Sequence, residues 1–476
     1  MDRVRNHIIR KASVNFQVTG NEDGMAFQQA VTEWCRHVLS PTLDAVLEEY
    51  ALTDDVLSID HINLDIGLDM AGDWEKELVE SIIHQLNENI GLKKIAGGQG
   101  IIKSEVVSFT ETMAYYLNHG ILPWNASFTN DIDFETEAGR WLKSLSSSEL
   151  KNLVKNLRDD RSVSRFTGLL RDGDLERIMA EASGEPEESF ITLINDMNFI
   201  IDFLTEDMLL RQSLKRQMKE MLILGLAPDQ DLKRRYTEWI SGTGEKFPLP
   251  IRRIDTGSLS NPELKKIISA FQHGKAGKSK PRPGRSFEKP EDRYTDLLNK
   301  PDKKDKKTDR EFTEGVFIDN AGAVIIAPFL TMMFSRSGLT EENKIIDTSA
   351  AVNLVHYCIT GRTAAQEYEL LLPKILCGLE TGFVPGTVNI TDAKIIKEAD
   401  EMRASVIEYW TVLKDTSVDG LRESFLVRNG KLTFIDDEWL LKVEQKPFDM
   451  LLEHLPWNIG MIKLPWMKNL IRTQWI

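Results

Sequence analysis

The N-terminal part of the chain combines two short patterns of alternating apolar and polar residues with longer patterns of helical spacing. Apolar residues fall at every second position over Val14–Val18 and Ile62–Ile66, which predicts two half-buried strands. Apolar residues spaced by three or four positions predict helices around them, including one over residues 74–90 and one over residues 106–117. We therefore predict that residues 1–125 form a domain of short strands packed on helices.

Helical spacing continues through the middle of the chain, where no strand pattern competes with it. Phe190–Leu204 carries a broad apolar stripe of the kind that packs against other helices. Ser147 and Ser148 are the predicted caps of another helix, whose Glu149 favours the N-terminal end of the helix dipole. We therefore expect residues 126–273 to form a helical region.

The composition changes over residues 274–312, where lysine, arginine, proline and acidic residues replace apolar ones. Such a segment buries too little apolar surface to offset the entropy lost on ordering, so we predict a disordered linker. Its positive charges are interleaved with acidic residues, and aromatic residues for base stacking are few. These features favour a solvated spacer over a nucleic-acid-binding segment.

Strand patterns return in the C-terminal part, residues 313–476. Val316–Ile318 and Val324–Ile326 flank a glycine-containing turn and are predicted to pair as a short hairpin. Asn429-Gly430 separates two further alternating runs, and Asn-Gly is the strongest short hairpin signal. Because Trp439–Val443 alternates next, we predict a three-stranded meander.

Helical patterns separate these strands. The predicted helices cover Phe329–Phe334, Ala351–Ile359, Glu369–Cys377 and Ala393–Leu413. The fold class predicted for the whole chain is α+β and predominantly helical. Two mixed ends, with short antiparallel strands packed on helices, are joined by the helical middle and the charged linker.

Composition sets limits on this interpretation. The chain has 476 residues, 41% of them hydrophobic, and a net charge of −15, which allows sizeable cores and disfavours nucleic-acid binding. Its three cysteines, Cys35, Cys358 and Cys377, are odd in number and far apart. We therefore expect no disulfide framework, and synthesis in the reducing cytoplasm. No run of about 18 apolar residues is present, so we expect no membrane insertion.

Candidate catalytic and ligand-binding chemistry is sparse. His356, Cys358 and Cys377 are candidate metal ligands, but zinc needs four converging ligands, and buried packing is their expected role. Gly277-Lys278-Ser279 lacks the first glycine and the preceding strand of a phosphate-binding loop. The sequence contains no paired Cys-x-x-Cys, nucleophile elbow or H-E-x-x-H motif. We expect no metal, no cofactor and no enzymatic activity.

The sequence Leu-Pro-Trp occurs three times, twice at the C-terminal end. Proline stops a helix and tryptophan adds a large apolar face, so such a corner anchors a core or binds a partner. Residues 455–476 are therefore either buried in their own domain or exposed as a partner site, and we favour the partner site because tryptophan is enriched at binding hot spots. The predicted partner-binding residues are Leu455, Pro456, Trp457, Ile459, Ile462, Leu464, Pro465, Trp466, Met467 and Trp475.

Several runs of residues at both ends of the chain are similar to a known protein family. These runs are Asn6–Arg10, Ile59–Gly67, Gly120–Trp124, Pro328–Leu330, Lys374–Leu379, Leu413–Leu426 and Phe448–Met467. They resemble tape measure proteins of phage-tail-like contractile injection systems, syringe-like particles with a sheath, an inner tube and a baseplate. The resemblance implies control of tube length, contacts with inner-tube or baseplate proteins, payload as a further contact, and a place in the tube lumen. It supplies no catalytic residues.

Two mechanisms stay open within this resemblance. A ruler is expected to be extended, and a continuous helix of this length would reach about 700 Å at about 1.5 Å per residue. The prolines, hairpin patterns and compact apolar blocks are instead typical of globular ends. The alternative to a ruler is a tube-nucleating adaptor or an assembly chaperone of the same system.

Overall fold

The computed structural model shows a predominantly helical α+β protein, which confirms the predicted fold class. Residues 1–114 and 123–143 form one compact unit, and residues 115–122 and 144–476 form a second. The four-segment division predicted from the sequence stays a prediction, and residues 274–311 of its linker lie outside the described residues. The described residues are 9, 30–50, 55–59, 62, 64, 66, 74–96, 100–123, 126, 134–157, 159–171, 173–226, 231–273, 312–313, 315–386, 390, 393–413 and 416–475.

The first unit combines helices with a two-stranded sheet. Its elements are a π-helical turn (Cys35–Leu39), helix α1 (Ser40–Tyr50), strand β1 (Asp55–Ile59), helix α2 (Trp74–Ala96), strand β2 (Gly100–Ser104), the first part of helix α3 (Glu105–His119) and helix α4 (Phe134–Ser144). Strands β1 and β2 pair antiparallel, with Asp55 opposite Ser104. The wide π-helical turn ends two residues before Pro41, which has no N–H to donate, and the helix continues past this proline.

The strand predicted over residues 62–66 was wrong. Ile62, Leu64 and Ile66 are the described residues of this stretch, and none belongs to a strand. All three are half-buried against apolar clusters of the first unit. The three apolar residues therefore pack against these clusters outside any strand, while β1 and β2 provide the strand pairing. The other predicted strand, Val14–Val18, lies outside the described residues.

The second unit begins with the helices expected for the middle of the chain. They are α5 (Ser147–Asn156), α6 (Asp160–Leu169), α7 (Asp174–Ser183), α8 (Glu187–Leu204), α9 (Met208–Gly225), α10 (Leu232–Lys246), α11 (Pro248–Arg252) and α12 (Pro262–Gln272). The cap of α5 is Ser146, not Ser147 or Ser148, because Ser146 and Glu149 bond each other's backbone N–H in a capping box. The apolar stripe predicted over Phe190–Leu204 is confirmed as the buried face of α8.

The C-terminal part of this unit shares one apolar core between helices and a sheet. Its helices are α13 (Ala323–Ile326), α14 (Leu330–Arg336), α15 (Thr348–Thr360), α16 (Leu371–Leu376), α17 (Ala393–Tyr409) and α18 (Val418–Leu421). Short 3₁₀ or π turns cover Ala327–Phe329, Glu367–Leu370, Thr411–Leu413, Arg422–Leu426 and Pro447–His454. The four helices predicted here are confirmed to within a few residues.

The strands of this part form a five-stranded mixed sheet and a two-stranded ribbon. They are β3 (Val316–Ile318), β4 (Thr340–Glu341), β5 (Lys344–Ile345), β6 (Gly430–Ile435), β7 (Glu438–Val443), β8 (Met461–Ile462) and β9 (Ile471–Gln474). The sheet order is β3-β6-β7-β9-β8, and β4 pairs with β5. Strand β9 runs parallel to β7, and the other neighbours are antiparallel. The last strand of the sequence, β9, therefore lies in the interior of the sheet, between β7 and β8.

Both hairpins predicted from their turn residues were wrong, but the pairing of the last two strands of the predicted meander is confirmed by β6 and β7. Val324–Ile326 belongs to α13, a helix whose residues are all fully buried. A helix in this place satisfies buried backbone N–H and C=O groups within itself. Asn429-Gly430 does not form a turn between strands, since a π-helical turn precedes it and Gly430 begins β6. The hairpin turn is Asp436-Asp437, with φ of 52° and 61°, the left-handed conformation that type I′ turns require.

Candidate functional site: the tryptophan-rich C-terminal segment

The ten residues predicted to bind a partner lie in a segment that packs onto the second unit. The buried members are Ile462, Leu464, Met467 and Trp475. The half-buried members are Leu455, Trp457, Ile459 and Trp466, and the exposed members are Pro456 and Pro465. The structure therefore brings most of these apolar side chains to the core of their own unit. Their partner-binding role stays a prediction.

Two of the three tail tryptophans are fixed to separate helices by hydrogen bonds. The indole N–H of Trp457 donates to the carbonyl oxygen of Ile325 at 2.9 Å, and its ring meets Phe329 edge-on with centroids 4.9 Å apart. The indole N–H of Trp466 donates to the carbonyl oxygen of Leu376 at 2.8 Å. Because a buried indole N–H needs an acceptor, these bonds tie the tail to α13 and α16.

The third tryptophan, Trp475, completes a buried charge network. Its indole N–H donates to the Asp449 carboxylate at 2.9 Å, and the guanidinium of Arg428 donates to the same carboxylate at 2.5 and 2.7 Å. The Arg428 and Asp449 side chains are 0% and 9% exposed. The guanidinium carbon of Arg428 also lies 5.4 Å from the centre of the Trp475 ring. The last residues of the chain thus cover a salt bridge that would otherwise meet water.

A second buried network joins the helical part of the second unit to its C-terminal part. Arg165 on α6 pairs with Glu367 at 2.9 Å, and Lys374 on α16 pairs with the same carboxylate at 2.7 Å. The side chains of Arg165 and Lys374 are each 1% exposed, and that of Glu367 is 6% exposed. The Arg165 guanidinium also donates to the carbonyl oxygens of Leu117 and Asn118. We name Arg165, Glu367 and Lys374 the buried charge cluster.

One carboxylate faces two cations in the buried charge cluster, so main-chain carbonyl groups supply the other acceptors. Arg165 donates to the carbonyl oxygen of Gly382 at 3.3 Å, and Lys374 donates to that of Thr381 at 3.2 Å. Burial lowers the pKa of Lys374, while the charge of Glu367 opposes this shift. The cluster is therefore sensitive to the loss of its single negative charge.

Sequence reasoning missed both charge networks. The one available signal is Lys374, which stands inside the apolar run Leu370–Leu376, where an unpaired ammonium group would be costly to bury. Arg165 and Glu367 are 202 positions apart, so only the fold reveals that they pair.

A substitution at Gly120 would test how tightly the buried charge cluster is packed. Gly120 follows α3 with φ of 71°, and a Cβ added there would overlap the carboxylate of Glu367. Gly184 follows α7 with φ of 81°, but an added Cβ would meet nothing within 4 Å. Gly184→Ala is expected to lower the free energy of unfolding by about 1–2 kcal/mol, and Gly120→Ala by about 1–3 kcal/mol more. Urea unfolding checks this, and equal losses would contradict the packing described.

The three candidate metal ligands lie in the apolar core. The Cys358 sulfur contacts the Met333 sulfur at 3.5 Å. Burial raises the pKa of Cys358 to about 12 and also raises the pKa of Cys377, so both thiols stay protonated at neutral pH. Within the described part of the chain, no group of three or more His, Cys, Asp or Glu side chains is arranged to hold a metal ion.

His356 is expected to make the protein less stable in mild acid. Burial, together with the charge of Arg362, lowers its pKa to about 4, whereas an unfolded histidine titrates near about 6.5. Between these values the unfolded chain binds more protons, so acid favours unfolding. The free energy of unfolding contributed by His356 should fall by about 1–2 kcal/mol from pH 7 to pH 5. Urea unfolding at both pH values should show a smaller loss for His356→Gln, and an identical loss would contradict the assignment.

Comparison with known proteins identifies the family of the chain. The contractile injection system tape measure protein family matches residues 6–475, which is nearly the whole chain. No curated protein sequence and no solved structure matches it. Among the described residues, no helix has both the length and the apolar composition to cross a bilayer. The family match spans the helical middle as well as both ends, so the chain belongs to the contractile injection system tape measure proteins.

Proposed function

We propose that this chain is a non-enzymatic assembly protein that controls the length of the inner tube through contacts with tube and baseplate proteins. The observation that supports this proposal is the family match over residues 6–475, because tape measure proteins act in particle assembly and sit in the tube. Synthesis in the cytoplasm and a further contact with payload belong to the same proposal.

The packing of the second unit supports a function that rests on binding. Its tail contributes a strand to the sheet and three hydrogen-bonded tryptophans that lie in or against the core, so the C-terminal part is a closely packed platform. A preformed surface of this kind suits an adaptor, because a binding partner loses less entropy when the surface it binds is already in place.

The buried charge cluster favours a second candidate, a tube-nucleating adaptor or an assembly chaperone. An extended ruler would have to separate α6 from the C-terminal part and leave Arg165 without Glu367. Both side chains are almost fully buried in the packed unit, so this separation would also expose the surfaces that cover the ion pair. An adaptor or chaperone could act with this packing intact.

A change in the length of the central region separates the two candidates. We would insert a helical segment of about 40 residues after His273, which follows α12, and measure tube lengths by electron microscopy. A ruler predicts tubes longer by about 60 Å, at about 1.5 Å per residue. Unchanged tubes favour the adaptor or chaperone. The control places the same segment between Glu342 and Asn343, in the turn between β4 and β5, where a ruler set by the central region predicts no change.

A further inference from the structure

The five-stranded sheet has one face turned away from the core. Successive residues of a strand point to opposite faces, and Leu432, Leu441 and Ile471 are fully buried on the core side. The residues of the opposite side are Phe317, Lys431, Thr433, Ile435, Glu438, Leu440, Lys442, Met461, Arg472 and Gln474. We name these residues the outer sheet face.

The strand register arranges the outer sheet face in cross-strand rows. One row is Phe317, Lys431, Lys442 and Gln474. The next row is Thr433, Leu440, Arg472 and Met461. Phe317 and Met461, on the two edge strands, are 53% and 55% exposed, and Ile435 is 46% exposed. The face therefore offers apolar side chains to solvent across its whole width.

The charge of the outer sheet face is opposite to that of the chain. It carries three cations, Lys431, Lys442 and Arg472, and one carboxylate, Glu438, in a chain of net charge −15. Arg472 and Glu438 neutralise each other through an ion pair at 2.9 Å. The positive charge that is left belongs to the two lysines.

Lys431 and Lys442 stand directly opposite each other on neighbouring strands. Like charges in this position destabilise a sheet. Lys431 lies over the Phe317 ring, with its nitrogen 5.3 Å from the ring centre, and within the described residues neither lysine forms an ion pair. The folded chain alone therefore gains nothing from this pair, whereas two carboxylates supplied from outside would be attracted to it.

We propose that the outer sheet face binds an acidic, partly apolar segment of another protein of the particle. Carboxylates of that segment meet Lys431 and Lys442, and its apolar side chains pack on Leu440, Ile435 and Met461. The inference rests on the proposed function only in placing the partner within the particle. Nucleic acid fits less well, because stacking of successive bases needs several exposed rings and Phe317 is the one aromatic residue of this face.

Site-specific photo-cross-linking in particle-producing cells tests the proposal with the full-length chain. A benzophenone amino acid at position 440 is expected to cross-link to an acidic segment of a particle protein. The yield should fall several-fold in Lys431→Gln/Lys442→Gln. The same double change is expected to leave the melting temperature equal or higher, because it removes a repulsive pair. Loss of binding together with retained stability separates a docking role from a folding role.

Matched controls complete the test. Lys233→Gln/Lys266→Gln removes the same amount of charge from two exposed lysines that pair with Glu263 elsewhere in the unit, and it should leave the yield unchanged. Cross-links to nucleic acid, to a basic segment or to a second copy of this chain, or an equal yield in the two double variants, would overturn the inference. If a deletion strain lacks particles while Lys431→Gln/Lys442→Gln assembles and cross-links normally, only the inference fails. Normal particles in the deletion strain would instead reject the proposed function.

Discussion

Glu367→Gln is expected to lower the free energy of unfolding of the second unit by about 3–5 kcal/mol. The change keeps the size of the side chain but removes the one negative charge between Arg165 and Lys374, whose side chains are each 1% exposed. Two cations would then be buried with only carbonyl oxygens as partners. Urea unfolding of the full chain, followed by tryptophan fluorescence, measures the loss.

The deficit of Glu367→Gln should shrink as the pH rises. Burial already lowers the pKa of Lys374, and loss of the carboxylate lowers it further, so the folded variant favours the neutral amine. Raising the pH toward the pKa of a lysine in the unfolded chain therefore removes part of the stability loss. The control, Glu380→Gln, breaks a surface pair with Arg161 whose side chains are 31% and 45% exposed, and it should cost about 0–1 kcal/mol. Similar losses for the two variants would refute the buried charge cluster.

Trp475→Ala is expected to cost about 3–5 kcal/mol, the range for removing a large aromatic side chain from a core. Trp475 is 3% exposed, donates to Asp449 and covers Arg428. Its removal opens a cavity and lets water reach the salt bridge. Trp475→Phe should cost less, about 1.5–3 kcal/mol, because a smaller aromatic ring still fills part of the space while the bond to a charged acceptor is lost. Thermal and urea unfolding check both values.

An exposed aromatic residue serves as the control for Trp475. Tyr409 is 63% exposed, so Tyr409→Ala should change the free energy of unfolding by about 0.5 kcal/mol or less. If Trp475→Ala folds as stably as the native chain but fails to assemble particles, the tail works mainly as a partner site and its burial in the core is wrong. A large stability loss supports the packing described.

Helices were predictable from the sequence because the spacing of their apolar residues can be recognised without knowledge of the fold. The stripe of α8 and the helices α14, α15 and α17 follow from apolar residues at intervals of three or four. Short segments failed where burial on all sides removes the period. Ala323–Ile326 is such a case, since its full burial suits a strand and a helix equally well in sequence.

Turn chemistry misled where tertiary packing decided the strand ends. Asn429-Gly430 carries the favoured hairpin sequence, yet Gly430 begins a strand and Asp436-Asp437 forms the turn at positive φ. The apolar residues of the tail could be recognised in the sequence, but the groups that accept hydrogen bonds from its tryptophans could not. Ile325 and Leu376 accept the indole N–H groups of Trp457 and Trp466 through main-chain carbonyl groups, which have no sequence signature.

The most direct test of the proposed function is the length distribution of particles from cells that lack this chain, measured by electron microscopy beside the same cells with the chain restored. The proposal predicts no assembled particles, or inner tubes of irregular length, in the deletion strain and uniform particles after restoration. Intact particles of normal, uniform length in cells without the chain would contradict the assembly role.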